Sequence, residues 1–155
     1  MNFQKTFDHY WPWAAIILRV ALGGLFIFTG SVKIMTPLEE FQAVIQSYQF
    51  LPEMLVPAFS VILPITEVAA GVALVFGLFE RYAAGVIALM TLSFIIAISA
   101  GLARGVSLDN CGCFGPFKFG DGPIEVLWRD GILIIVAILL IIRPSKLLAL
   151  DRFLK

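Results

Sequence analysis

Apolar residues fall in long runs separated by short polar stretches, and the runs have the length of membrane spans. A helix needs about 20 apolar residues to cross about 30 Å of hydrocarbon. Trp13 to Val32 meets that with Arg19 as its only charge, and Met54 to Phe79 does so with Glu67 as its only charge. Pro57 and Pro64 in the second run are compatible with a kinked membrane helix. Tyr82 to Ala103 has no charged residue, and Glu80-Arg81 before it leaves room only for a tight antiparallel turn. A fourth run, Gly131 to Ile142, has only 12 uncharged residues. It reaches spanning length from about residue 124 if Arg129 and Asp130 lie near the interface or face the bundle, with Trp128 at the boundary. The pattern predicts one membrane domain over 1–155: an all-α integral membrane four-helix bundle with spans at about 13–32, 54–79, 82–103 and 124–142.

Between the first two spans the period changes. Thr36 and Glu39 have the spacing of a capping box, and Pro37 follows at the first helical position. Leu38, Phe41, Ile45 and Tyr48 then recur every three or four residues, largely separated by Glu39, Glu40, Gln42 and Gln46, until Leu51-Pro52. This predicts an amphipathic helix over about 37–49, lying on the membrane surface or capping the bundle. A lid without chemistry is its plainer reading.

Composition agrees with the bilayer as solvent: 60% of the 155 residues are hydrophobic and only 14% charged, against about 25% charged in soluble domains. Eleven basic and eleven acidic residues balance, so no basic face points to nucleic acid. The N-terminal stretch lacks a small-residue cleavage site and is read as the approach to a retained first span. Four spans put both termini on one side. With the termini in the cytoplasm, that side holds Lys5, Arg81, Arg143, Lys146, Arg152 and Lys155, against Lys33, Arg104, Lys118 and Arg129 outside. Basic residues favour the cytoplasm, so both long loops are expected on the exterior or periplasmic face.

The only cysteines, Cys111 and Cys113, lie in the loop 104–123 within DNCGCFGPFKFGDGP. Gly112 permits the backbone angles that a bridge across one residue needs, and such a bridge would be strained and easily reduced. Its loop is too short to contribute much as a staple. Arg104 and Lys118 favour a thiolate while Asp109 opposes it. A redox pair is the leading reading, with a soft-metal site and inert structural cysteines as alternatives. Zinc is poorly supported, because the sole histidine, His9, belongs to the other face. A cysteine hydrolase lacks a nearby histidine base.

Arg19 and Glu67 are the second candidate site, since ionisable groups inside spans usually face a partner or a polar cavity. At about 1.5 Å per residue their depths differ by about 9 Å, within reach of long side chains. The pair is read either as a structural ion pair that sets helix register, or as a polar pocket for a quinone head group or a proton path. Gly23, Gly24, Gly30, Gly71 and Gly77 are read as close-packing positions, and Trp11, Trp13, Tyr82 and Trp128 as interface anchors.

The segments LRVALGGLFIFTGSVKI, YQFLPEMLVPAFSVILPITEVAAGVALVFGLFERYAA and DNCGCFGPF followed by WRDGILIIVAILL, in that order, resemble the DoxX-like superfamily, nearest its MauE (methylamine utilisation) branch. The resemblance covers about Trp13 to Arg143. It implies a small four-helix protein of the cytoplasmic membrane, acting with a thioredoxin-like partner in maturing a disulfide-rich periplasmic protein. The wider superfamily is associated with thiol redox chemistry and quinone reduction. Cys111 and Cys113 match the motif cysteines, and Arg19, Lys33 and Glu67 the polar positions of the span pattern. Together these readings give a membrane thiol-disulfide oxidoreductase component. Cys111 and Cys113 exchange electrons with the partner on the outer face, and a quinone held near Arg19 and Glu67 takes them up, with no metal cofactor. The alternatives are a non-catalytic anchor or assembly subunit of an oxidoreductase and a soft-metal or small-solute carrier. A homodimer or hetero-complex is open to each.

Overall fold

The computed structural model describes residues 3–47, 51–105 and 123–144. Five α-helices and one 3-10 turn follow in order: α1 Phe3–Met35, α2 Leu38–Ser47, the turn Glu53–Leu55, α3 Val56–Phe76, α4 Glu80–Ala103 and α5 Pro123–Ile142. Among the described residues the protein is all-helical. The predicted loop 104–123, with Cys111 and Cys113, lies outside the described residues apart from its edges, as does Tyr48.

Among the described residues three helices are long and apolar enough to cross a membrane: Tyr10–Met35, Glu53–Phe76 and Glu80–Ala103. The predicted fourth, α5, has 20 residues but carries Glu125, Arg129 and Asp130 in its first half. Helix α1, at 33 residues, is about 50 Å long. It therefore outruns the hydrocarbon that its apolar run was expected to match.

Arg19, Lys33, Ser60, Glu67, Glu80, Thr91 and Asp130 are buried, while Ile17, Ile62, Leu89 and Ile132 are each more than half exposed. Burying charge and exposing large aliphatics is costly in water. It is the stable arrangement when the surroundings are lipid, and the chain is a multi-pass membrane protein.

Helix α1 runs along α3 and α4 along α5, the pairs being joined by α3–α4 contacts and a smaller α1–α5 contact. The α1–α3 register is set by glycine. A Cβ on Gly23 would stand 2.7 Å from the Gly71 carbonyl oxygen, and one on Gly71 2.7 Å from the Gly23 carbonyl oxygen. Gly30 likewise sits against Pro64 and Val68. These contacts make the two helices antiparallel and close, as small residues allow in membranes. Gly24 faces open space, so the expectation of close packing fails there. A core of Leu22, Phe26, Leu74, Ile87, Ala137 and Leu140 fills the centre. The Trp11 indole N–H donates to the Arg143 carbonyl at 3.0 Å, tying the early part of α1 to the end of α5.

The second predicted run, 54–79, is shorter as a helix. Pro57 belongs to its first turn, where it disturbs nothing, so only Pro64 is an interior proline. Gly77, with φ of 65°, ends α3 in the left-handed region. Its N–H donates to the Leu74 carbonyl and that of Leu78 to the Ala73 carbonyl, the two bonds of a Schellman cap. Gly77 is thus a turn residue and not a packing one.

Helix α2 starts one residue later than the capping-box spacing predicts. The Pro37 carbonyl accepts from the Phe41 N–H, and the Thr36 hydroxyl donates back to the Val32 carbonyl at the end of α1. Phe41 and Ile45 are buried with Val56, Leu63 and Met90, whereas Leu38 is half exposed.

Candidate functional site

The buried charges form two groups at different depths. In the first, Arg19 Nε donates to the Leu74 carbonyl at 3.1 Å and Nη2 to the Val75 carbonyl at 3.3 Å, while Nη1 lies 3.5 Å from Glu80 Oε2. Leu74 and Val75 are in the last turn of α3, and the Leu74 carbonyl accepts from the Gly77 N–H as well, so the guanidinium supplements the helix cap. Glu80 opens α4, where a negative charge suits the helix dipole. The guanidinium therefore locks the α3–α4 turn from inside the bundle. A planar fork can serve two carbonyls and a carboxylate at once; an ammonium cannot match it.

In the second group, Lys33 Nζ donates to Glu67 Oε1 at 2.5 Å and lies 4.7 Å from the centre of the Phe94 ring. The expected Arg19–Glu67 pair is thus replaced by Arg19–Glu80 and Lys33–Glu67. The cause is the glycine-set register. It puts Arg19 level with Leu74 and Val75 and Glu67 level with Gly30. Lys33, one turn further along, reaches back toward the start of α1, as helical side chains lean.

Asp130, itself buried, and Arg129 complete this group from α5, with Arg129 Nε 3.4 Å from Asp130 Oδ1. Leu25, Phe26, Thr29 and Lys33 of α1, Glu67 of α3, Thr91 and Phe94 of α4, and Arg129, Asp130 and Leu133 of α5 enclose a cleft of about 30 Å³. That is room for one or two waters. It is far below the several hundred Å³ of pockets that enclose cofactor-sized ligands.

Lys33 is within a turn of the end of α1. At that end of the molecule α3 begins, α4 finishes and α5 starts. The segment bearing Cys111 and Cys113 joins Ala103 to Pro123, so it is attached at the end nearer the Lys33–Glu67 cleft and away from Arg19.

Sequence reasoning placed Lys33 in a loop, Glu80 in a turn and Asp130 at an interface or facing the bundle. All three are buried, and a signal for each was present. Ala15, Arg19, Leu22, Phe26 and Lys33 lie on the buried stripe of α1, and Glu80, Ala83, Ala84 and Ile87 on that of α4. Val126, Asp130, Ala137 and Leu140 form that of α5. The charges occupy core positions of helical period.

Over residues 11–143 the chain matches the family described as methylamine utilisation protein MauE. It is similar to the methylamine utilization protein MauE of Paracoccus denitrificans, 31% identical over 103 residues, 66% of this chain and 55% of that protein. The protein of that name from Paracoccus versutus is 33% identical over 97 residues, 63% of this chain and 52% of its own length. That of Methylorubrum extorquens is 37% identical over 76 residues, 49% and 41% of the two chains. The chain spans about half the length of the curated relatives it matches. No solved structure matches.

Proposed function

The chain belongs to the MauE family, and on that premise we propose that it is the membrane component of a thiol-disulfide exchange pathway. Cys111 and Cys113 are its redox pair. The observation that carries this reading is the family match across a stretch containing CGCFG, attached at the end of the fold nearer the buried charged cleft.

In this reading the bundle has four spans. Helix α5 crosses as well, because Asp130 is buried against the other helices while Ile124, Trp128, Ile132 and Ile135 face outward. Helix α2 lies at the outer surface, with Phe41 and Ile45 toward the bundle and Glu39 and Glu40 toward water. Both termini are in the cytoplasm and the cysteines face the exterior or periplasm.

A thioredoxin-like partner exchanges electrons with the pair through a mixed disulfide. Two electrons and two protons leave the Cys111–Cys113 dithiol as its S–S bond forms, and a membrane quinone takes both and becomes a quinol. Of the two residues first associated with the quinone, Arg19 is engaged by the α3–α4 turn, and Glu67 stands in a cleft too small for a ring. We place the quinone at the lipid-facing outer half of the bundle instead. The resemblance of the sequence segments to DoxX-like proteins is what suggests quinone coupling. The names of the relatives point to methylamine utilisation, and we propose maturation of a disulfide-rich periplasmic protein as the service rendered.

The test is thiol trapping in reconstituted protein that has been reduced, freed of reductant and held anaerobically. Reoxidation of Cys111 and Cys113 with added quinone, and not without it, is the expected result. Replacing Cys113 by Ser should leave Cys111 able to trap the partner as a stable mixed disulfide. Thiols that stay reduced with both quinone and partner present would make the protein an anchor or assembly subunit. Cysteine-dependent binding of a soft metal at fixed stoichiometry would make it a carrier.

A further inference from the structure

The lone oxygen of Glu67 is not accounted for by the Lys33 pair. The residue is 1% exposed, its Oε1 accepts from Lys33, and its Oε2 has no hydrogen-bond partner among the described residues. A carboxylate oxygen left unpaired in a dry interior is strongly disfavoured. This one belongs to the wall of the 30 Å³ cleft, which has the size and the polar lining to hold water. Across the cleft stand Arg129 and Asp130 of α5 and the hydroxyl of Thr91. That hydroxyl donates to the Ile87 carbonyl and keeps lone pairs to accept.

We propose that the cleft is a hydrated proton-exchange site within the bilayer, at which Glu67 Oε2 takes up a proton from water and returns it. On uptake an O–H bond forms at Oε2; on release it breaks and the proton returns to water, with no electron transferred. Among the described residues, the ionisable groups facing Glu67 are Lys33 from α1 and Arg129 and Asp130 from α5, while α4 presents Thr91 and Phe94. With the two cations and two acids all charged the cleft is neutral, so one added proton leaves a single net charge. Water reaches it past Arg129, the partly exposed member of the α5 pair.

Dithiol oxidation must shed protons near this end of the molecule, and use of the site in that step rests on the function proposed above. Proton exchange at Glu67 does not. The experiment therefore uses the full chain in nanodiscs with Cys111→Ser and Cys113→Ser, where no thiol chemistry occurs and failure of the redox reading has no influence. Infrared difference spectra between two pH values, in H₂O and in D₂O, are expected to show a carboxyl C=O band that shifts in D₂O. The band should vanish in Glu67→Gln and persist in Asp130→Asn. Leu133→Trp narrows the cleft from α5 without removing either member of the Lys33–Glu67 pair, and should slow the D₂O shift several-fold after rapid mixing. No deuterium-sensitive band, or a band that survives Glu67→Gln, overturns the proposal. So does exchange unaffected by Leu133→Trp, a result independent of whether the Glu67 variant folds.

Discussion

Arg19 joins two helices through one buried side chain, which reaches two carbonyls of α3 and Glu80 of α4. Arg19→Ala would take the guanidinium away from the buried Glu80 carboxylate and from two carbonyls, at a cost of about 3–5 kcal/mol. Arg19→Lys keeps the charge but not the fork and should lose an intermediate amount. Glu80→Gln should cost less than Arg19→Ala, because the guanidinium retains its carbonyls. Unfolding free energies of the variants in bicelles, measured by steric trapping, check the order. Equal losses for Arg19→Lys and Arg19→Ala would mean that geometry counts for nothing at this site. Lys33 is different in kind, since its partner Glu67 keeps one oxygen facing the cleft.

Helix packing depends on which glycines meet backbone. At Gly23 the added Cβ of alanine would meet the Gly71 carbonyl oxygen at 2.7 Å and the Val75 nitrogen at 3.2 Å. Neither atom can rotate away, so α1 and α3 must separate, a cost of about 1–3 kcal/mol for Gly23→Ala and similarly for Gly71→Ala. Gly24→Ala meets nothing within 4 Å and gains helix propensity, so it should be neutral or stabilising by up to about 1 kcal/mol. The same unfolding assay distinguishes the three variants, and a destabilising Gly24→Ala would contradict the observed packing. Gly77→Ala acts at a turn: with φ at 65°, a side chain there costs about 1–2 kcal/mol.

The arrangement of the whole protein in the bilayer turns on α5. If α5 crosses, Cys111 and Cys113 lie on the face opposite residue 145. In intact cells or right-side-out vesicles a membrane-impermeant maleimide should label Cys111 and Cys113 from outside. A single cysteine at Ser145, in a Cys111→Ser, Cys113→Ser background, should label only after permeabilisation. Labelling of both from the same face would make α5 re-entrant and undo the four-span arrangement. The charge segregation on which the arrangement depends is visible in the folded protein: Asp130 is buried and Arg129 is partly exposed. These adjacent residues thus reach the cleft without giving the lipid a fully charged face.

Hydropathy by itself determined that this chain lives in a membrane and roughly where three long helices run, because burial in lipid demands apolar length whatever the neighbours are. The CGCFG motif and the order of the surrounding segments determined the family. Partnership of the buried charges was not legible. Arg19 and Glu67 are the only charges inside their apolar runs and look made for each other, yet Gly23, Gly30 and Gly71 fix a register that sends each to another partner. Glu80 looked like a surface turn residue because a run of sequence does not say which side of a helix end faces inward. The cleft joins side chains from α1, α3, α4 and α5, positions up to about a hundred residues apart, and close packing of helix faces alone brings them within reach of one another.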